Sequence, residues 1–318
     1  MYGTTYVGGA YEQGVVFKLT PKGEETVLYS FGARNGDGTN PAAGLVFDQK
    51  GNLYGTTYLG GARGGGVVFK LTPKGKETVL YSFCAQTNCT DGANPAAGLV
   101  FDQKGNLYGT TSNRGAACRL PECGVVFKLT PQGKYMVLYR FCAQTNCADG
   151  AGPTAGLVFD QKGNLYGTAS VGGTYNNYDI CHDWGCGVVF ELTPKGKETV
   201  LYSFCAQDNC QDGARPSAGL IFDQKGNLYG TTAGGGVHSD DCDYGYEGCG
   251  VVFKLTPEGK EAVLHYFCAQ GRCTDGANPD AAVVFDQKGN LYGTAFLGGA
   301  NYNDCDGYGC GVVFKLTP

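Results

Sequence analysis

The sequence predicts an all-β fold, a β-propeller of about six four-stranded antiparallel blades, and three observations carry that reading. First, the string Leu-Tyr-Gly-Thr, or its remnant Tyr-Gly-Thr at the start, recurs with its tyrosine at Tyr2, Tyr54, Tyr108, Tyr166, Tyr229 and Tyr292, at spacings that grow from 52 to 63 residues. Recurrence at a period of this size marks a tandem architecture. Second, each full period holds four runs of strand length, rich in Val, Phe, Tyr, Leu and Thr, and no window carries a helical period. Third, one of these runs is apolar on both faces, which demands a neighbouring sheet on either side, and a ring of stacked blades supplies both. A linear β-repeat array or a β-solenoid is the alternative topology.

The elements follow in order along the repeat at 95–152. Its first strand is read at 98–102 (GLVFD), its second at 107–111 (LYGTT), its third at 124–130 (GVVFKLT) and its fourth at 136–141 (MVLYRF). The first two are joined by DQKGN and the last two by TPKGK or a close variant. In such turns Pro presets the first position and Gly takes the left-handed one, so both are tight antiparallel hairpins. In the third strand of an earlier repeat Val67, Phe69 and Leu71 point one way and Val68, Lys70 and Thr72 the other, leaving apolar groups on both faces near its start. The connections from second to third strand, and from fourth strand to the next first, are longer and hold nearly all the length variation. These are the loops.

The organisation is a single tandem-repeat β domain over 1–318, with a partial blade at 1–40, full repeats at 41–94, 95–152, 153–215 and 216–278, and a partial blade at 279–318. The first blade lacks its first strand and the last its fourth. Either the chain is a segment of a longer one, or the half-repeats at 1–31 and 281–318 expose strand edges that pair with another copy. A head-to-tail contact of that kind makes a filament if it does not close.

Composition removes several classes. A formal net charge of -5 and a pI near 5.3 provide no basic field for a polyphosphate, so no nucleic acid is expected as partner. No apolar run reaches the roughly 18 residues of a membrane span. The 54 Gly follow no G-X-Y period, which excludes collagen, and 21 Tyr with 17 Phe exclude a disordered polar chain.

The unit GLVFDQKGNLYGTTYLGGARGGGVVFKLTPKGKETVLYSF resembles the tandem repeats of bacterial exported proteins named for Gloeobacter and Verrucomicrobia, the GloVer repeat proteins. Its layout is also similar to the NHL propeller repeat, where an apolar strand, a D-x-x-G-N turn and a tyrosine-bearing strand come in the same order. The GNLYGT, GVVFKLTP and DGxxPxAGL elements that carry the resemblance recur along essentially the whole chain. The resemblance implies an exported, propeller-like protein and no defined activity.

The 16 Cys form eight close pairs. Four lie between a fourth strand and the next first strand: Cys84/Cys89, Cys142/Cys147, Cys205/Cys210 and Cys268/Cys273. Four lie between second and third strands: Cys118/Cys123, Cys181/Cys186, Cys242/Cys249 and Cys305/Cys310. Members of a pair appear or vanish together, since the loops at 32–40 and 58–66 lack both, and this favours a bridge within each loop. So short a closed loop gains about 2 kcal/mol on the chain-entropy model, so the bridges are expected to stiffen loops rather than hold the fold. An even, dense set implies an oxidising compartment, extracellular or at the cell surface. Two alternatives stay open: bridges from each fourth-to-first pair to the following second-to-third pair, as from Cys84 and Cys89 to Cys118 and Cys123, or a zinc site made by such four Cys.

In an up-down-up-down blade the tight turns share one rim and the long loops the other. The acidic excess, all the Cys and the length variation then share one face, where binding residues concentrate on a rigid scaffold. Asp240, Asp241 and Asp243, and Asp304 and Asp306, are spaced to ligate calcium through oxygen, although the D-C-D-G run lacks a calcium loop's first Asp and distal Glu. Solvated turn-forming Asp is the plainer reading. No other cofactor is called for. Tyr175, Tyr178, Trp184, Tyr244, Tyr246, Tyr302 and Tyr308 suit stacking on sugar rings or packing against another protein, or else cover the disulfide loops. The recurring Tyr54, Tyr108, Tyr166 and Tyr229 sit in the repeat and are read as structural.

Catalysis finds little support. His182, His238 and His265 follow no repeat-wide pattern, and His265 stands where other repeats have Tyr. No nucleophile elbow, metalloprotease, P-loop or dinucleotide motif is present. Asn88-Cys89-Thr90 matches a glycosylation sequon once. Three function classes follow: a structural or adhesive surface scaffold that self-associates or meets another surface protein, a glycan- or calcium-dependent binding module, and a secreted hydrolase. Near-identical repeats with invariant short turns favour the first.

Overall fold

In a computed structural model of the chain the fold is all-β, the six blades of a β-propeller. The structure describes residues 1–318 except 116–122, 176, 182–183, 238–241, 243–247, 301–304, 306–308 and 318, and except the side chains of Tyr178 and Asp179. The chain divides into two compact units, Met1–Phe141 with Gly152–Leu157, and Cys142–Ala151 with Val158–Pro318.

The first unit holds three blades. Blade one is β1 (Tyr2–Thr5), β2 (Val15–Leu19) and β3 (Glu25–Ser30). Two short strands, β4 (Gly38–Thr39) and β7 (Leu59–Gly60), pair across loops. Blade two is β5 (Val46–Phe47), β6 (Leu53–Thr57), β8 (Val67–Leu71) and β9 (Glu77–Ser82). Blade three is β10 (Val100–Phe101), β11 (Leu107–Thr111), β12 (Val125–Leu129) and β13 (Tyr135–Arg140). The second unit holds blade four, β14 (Val158–Phe159), β15 (Leu165–Ala169), β16 (Val188–Leu192) and β17 (Glu198–Ser203). Blade five is β18 (Ile221–Phe222), β19 (Leu228–Thr232), β20 (Val251–Leu255) and β21 (Glu261–Tyr266), and blade six is β22 (Val284–Phe285), β23 (Leu291–Ala295) and β24 (Val312–Leu316). Within each blade, neighbouring strands pair antiparallel in chain order, as expected.

The first strand of each full blade is shorter than the five residues expected, because its approach is tied elsewhere. Thr56 Oγ1 in β6 donates to the carbonyl of Ala97 at 3.0 Å, and Thr231 does the same to Ala281 at 3.3 Å, so the Pro-x-Ala segment that leads into each first strand bonds to the preceding blade. Only two residues are left for the ladder, Val100 opposite Tyr108 and Phe101 opposite Leu107. Among the described residues helix is confined to single turns, Tyr178–Cys181 and 3₁₀ turns such as Thr87–Cys89 inside the cysteine loops.

Packing follows from the two apolar faces of the third strand. In β8, Val67, Phe69 and Leu71 pack with Val16 and Phe31 of blade one, while Val68 packs with Leu99, Leu107, Val125, Phe127 and Leu129 of blade three. In the second unit Val189 packs with Leu220, Leu228 and Phe253 of blade five, and Val252 with Val283, Leu291 and Ala295 of blade six. Edge-to-face rings repeat at these junctions, Phe31 on Phe69 at 5.0 Å and Phe204 on Phe253 at 5.1 Å. The tyrosine of the Leu-Tyr-Gly-Thr strand adds another, Tyr54 on Phe101 at 5.2 Å. Its glycine is demanded by the next strand: a Cβ on Gly55 would lie 2.8 Å from Phe69 Cζ and 2.8 Å from Leu45 Cδ2.

Blade six departs from this pattern. Val313 is 80% exposed where its counterparts Val16, Val68, Val189 and Val252 are 0% exposed. If burial between blades stabilises each sheet, Val252→Ala should cost about 1–3 kcal/mol and Val313→Ala less than about 0.5 kcal/mol, read as midpoints of urea denaturation. Equal costs would contradict the packing scheme.

Candidate functional site

Both rims are built by aspartates. In the DQKGN turns Asp48 Oδ1 accepts from the backbone N–H of Lys50 and Asn52, both at 2.9 Å, and Oδ2 from Asn52 Nδ2 at 2.7 Å and Tyr54 Oη at 3.1 Å. Asp102, Asp160, Asp223 and Asp286 repeat this set. Burial alone would raise the pKa of Asp48, but these donors hold it below the usual carboxylate value. Tyr54, partly buried and bonded to that carboxylate, is pushed up to about 12. The recurring Tyr of these strands thus serve the repeat itself.

On the loop rim a second aspartate does comparable work. Asp91, fully buried, accepts from Tyr81 Oη at 2.7 Å and from the N–H groups of Ala85 at 2.9 Å and Gln86 at 3.1 Å. Asp212 holds Tyr202, Ala206 and Gln207 in the same way, and Asp37 and Asp149 are likewise buried. The acidic excess of this rim is therefore partly internal, which corrects its reading as one solvent-facing ligand surface. The D-G-x-x-P string in each repeat was the signal, since a carboxylate that nucleates a turn must point into it.

Each described cysteine loop closes on itself: Cys84–Cys89, Cys142–Cys147, Cys181–Cys186, Cys205–Cys210, Cys242–Cys249, Cys268–Cys273 and Cys305–Cys310. Cys123 is also disulfide-bonded, and its expected partner Cys118 lies outside the described residues. Cys84 and Cys89 have φ of 62° and 54°, and in the Cys-free loop Gly32 takes the place of Cys84 with φ 87°. A left-handed position that glycine fills freely is thus held in the other repeats by a bridged cysteine.

Two expectations need correction. The bridges do more than stiffen loops: Cys242, Cys249 and Cys273 are 0% exposed and pack in one core cluster with Val252, Phe267, Ala277 and Leu297. The four-Cys grouping also differs. The sulfurs of Cys242, Cys249, Cys268 and Cys273 lie together, as do those of Cys181, Cys186 and Cys210, so a fourth-to-first pair meets the preceding second-to-third pair of its own blade and not the following one. The reason is a return of the chain over its own blade, with Asn278 N bonded to Cys249 O and Arg215 N to Cys186 O, both at 2.8 Å.

Of the aromatic candidates, Tyr175 is 45% and Trp184 40% exposed, the first preceding the Cys181–Cys186 loop and the second within it. The side chain of Tyr178, together with Tyr244, Tyr246, Tyr302, Tyr308, Asp240, Asp241, Asp243, Asp304, Asp306, His182 and His238, lies outside the described residues. His265 stacks edge-on with Phe267 and lies 3.5 Å from Asp275; burial pushes its pKa down, against the pull of that carboxylate.

Sequence reasoning missed a polar niche between blades. At the start of β9, Glu77 is buried and pairs with Arg34 beside Asp37. Burial raises Glu77 to about 7, with Arg34 opposing and Asp37 assisting. In β13 Tyr135 takes this place, stacking on Tyr81 at 3.8 Å and donating to the carbonyl of Asp91. In β21 it is Glu261, raised to about 7 by burial and then by Asp212, with Oε1 buried and lacking a hydrogen-bond partner among the described residues. The position is Glu in four of five repeats (Glu25, Glu77, Glu198, Glu261) and Tyr135 in the other, a recurrence that was the signal, but a carboxylate at a strand start reads as solvent-facing until the neighbouring blade is placed. In the first unit a groove of about 710 Å³ also opens on the short-turn rim between blades two and three, lined by Phe47, Tyr54, Lys70, Phe101, Lys104 and Leu129.

With blades, turns and loops placed, comparison with known proteins is decisive for family. The model of the Gloeobacter/Verrucomicrobia repeat matches residues 1–181 and 182–318. The chain belongs to this repeat family. No curated protein matches it. Among solved structures, a luciferin-regenerating enzyme superposes with a TM-score of 0.53 at 13% identity, covering 99% of this chain and 92% of that one. A candidate gluconolactonase gives 0.48 at 15% identity, covering 100% and 89%, and a GH43 endo-arabinanase from Bacillus licheniformis gives 0.43 at 13%, covering 89% and 96%. At such identities the first likeness concerns the fold alone, and the other two add no argument.

The niche of Glu261 makes a pH prediction. A folded value of about 7 stands above the ordinary value near 4.3, so the folded state holds this proton more tightly than the unfolded state. The stabilising contribution is complete below about pH 4 and is lost as pH rises through 7. Glu261→Gln should flatten that decline in urea-denaturation midpoints measured at stepped pH. An unchanged slope would contradict the assignment.

Proposed function

We propose that this chain is a non-catalytic, exported repeat scaffold that works by packing against other surface proteins, a second copy of itself foremost, through the open face of blade six. The observation that carries the reading is Val313, 80% exposed at a position that other blades bury against a neighbour. Val284 at 58% and Phe296 at 66% widen the apolar surface on the same blade. Several exposed apolar side chains on one blade suit a protein partner. A contact of this kind joins copies end to end, and if it does not close it grows a filament. The dense disulfides suit an oxidising, extracellular setting.

A non-catalytic role is supported by the way recurring polar groups are used. Among the described residues, the repeated Asp and the recurring Tyr hold turns and loops, which leaves few groups of the kind that hydrolysis requires. Turnover on a hydrolase panel, abolished by one Asp substitution, would overturn this reading. A second reading rests on Tyr175 and Trp184, whose exposed rings suit stacking on a sugar. It predicts a glycan-array signal lost in Tyr175→Ala and Trp184→Ala, and if binding also needs calcium through Asp240, Asp241, Asp243, Asp304 or Asp306, the signal falls with chelator.

The scaffold reading is tested by sedimentation over a wide concentration range. The native chain should associate as concentration rises, and Val313→Asp should remain monomeric with unchanged β-type circular dichroism. A native chain that stays monomeric throughout would sink it.

A further inference from the structure

Two neighbouring bridges on blade five bring four sulfurs into one cluster. Those of Cys242, Cys249, Cys268 and Cys273 all lie within 4.8 Å of one another, and the four residues are 0%, 0%, 8% and 0% exposed. A zinc ion holds each thiolate at about 2.3 Å, which sets tetrahedral sulfurs about 3.8 Å apart. Fitting the cluster to a metal therefore closes the widest separations by about 1 Å and, once the bonds are reduced, parts each bridged pair by about 1.8 Å. The backbone holds both loops in place for this: Asn278 N bonds Cys249 O at 2.8 Å, Phe267 N bonds Gly250 O at 3.1 Å and Gly276 N bonds Cys273 O at 2.9 Å.

Three of the four positions recur in the same grouping. On blade four the sulfurs of Cys181, Cys186 and Cys210 lie within the same distance, and Cys205, bridged to Cys210, supplies a fourth. Blade two provides an internal control. Gly65 stands where those loops carry their second cysteine, and a Cβ there would lie 3.1 Å from Cys84 Sγ. The position that abuts a neighbouring sulfur is thus present in blade two, but no cysteine occupies it, and the Cys84–Cys89 bridge has no second pair on its own blade.

We propose that in the chain that has not been oxidised, Cys242, Cys249, Cys268 and Cys273 bind zinc as a tetrathiolate, and that the metal site and the two disulfides are alternative states of the same four sulfurs. The same holds for Cys181, Cys186, Cys205 and Cys210. Metal uptake moves no electrons: four thiols and one Zn²⁺ become one zinc tetrathiolate and four protons. Oxidation by two molecules of a small disulfide such as oxidised glutathione removes four electrons from the thiolates. It forms the two protein bridges, sets Zn²⁺ free and leaves four small thiolates. The metal state keeps these thiols correctly grouped until the chain meets an oxidising compartment.

The full chain, reduced and refolded without oxygen in the presence of a phosphine, is titrated with Co²⁺ as the probe. The expected result is the sulfur-to-cobalt charge transfer and strong visible bands of a tetrahedral thiolate site, displaced by Zn²⁺. The double variant Cys242→Ser with Cys249→Ser should lose the share of bound cobalt that belongs to blade five, while Cys84→Ser with Cys89→Ser should leave the titration unchanged. Cys268→His, which keeps a ligand, should shift the visible bands without loss of metal and guards against variants that only misfold. Oxidised glutathione added to the zinc form should release the metal and yield the Cys242–Cys249 and Cys268–Cys273 peptides by mass spectrometry. A reduced chain that folds without thiolate bands, one that fails to fold with zinc present, or undiminished cobalt binding in the Cys242/Cys249 variant would each overturn the proposal.

Discussion

No blade of this protein can satisfy its own surface. The third strand of each repeat carries valines on successive positions, Val67 and Val68 in β8, so one must face each side of the sheet, and both are 0% exposed. A small sheet becomes stable only when its hydrophobic face is packed against another element, and here both faces are apolar. Full burial of a Val or Phe side chain contributes about 1.5–3 kcal/mol, and each junction gathers several. Tandem repetition is the direct consequence, because the cheapest cover for one repeat's face is the complementary face of the next.

Polar chemistry in the chain serves that stacking. Thr56 ties β6 to the entry of blade three, Asp48 fixes the tight hairpin, and Asp91 gathers a tyrosine and two backbone amides so that the long loop can turn inside a dry environment. A buried carboxylate costs several kcal/mol unless donors surround it, and here backbone and tyrosine supply them. The niche at Glu77, Tyr135 and Glu261 shows the same demand met unequally, by an arginine, by a phenol, and at Glu261 without a cationic partner among the described residues. Disulfides complete the loop ends as buried apolar bodies, and where blade one lacks one, Gly32 adopts the left-handed backbone instead.

The architecture could be read from the sequence because repetition exposes it six times over. The period, the Pro and Gly turn chemistry and the two-faced β8 needed no tertiary knowledge, and pairing within cysteine loops followed from the joint absence of both members. What escaped had a common cause. Net charge counts Asp91 and Asp240 alike, although the first is buried, so the loop rim was read as more acidic to solvent than it is. The alternative drawn from sequence order grouped each such pair with the following one, whereas the chain returns over its own blade and brings Cys268 back to Cys242. The first strand lost residues to hydrogen bonds with the preceding blade, a partner that a local pattern does not contain.

If burial against the next blade is what stabilises each sheet, the third strands should differ in a way that no local property explains, since VVFKL is the sequence of β8, β20 and β24 alike. Hydrogen–deuterium exchange read strand by strand in dilute protein tests this most directly. The account predicts slow exchange for the backbone of Val67–Leu71 and Val251–Leu255, and fast exchange for Val312–Leu316 that slows as the protein is concentrated. Equal protection of all three identical strands at the lowest concentration would contradict it.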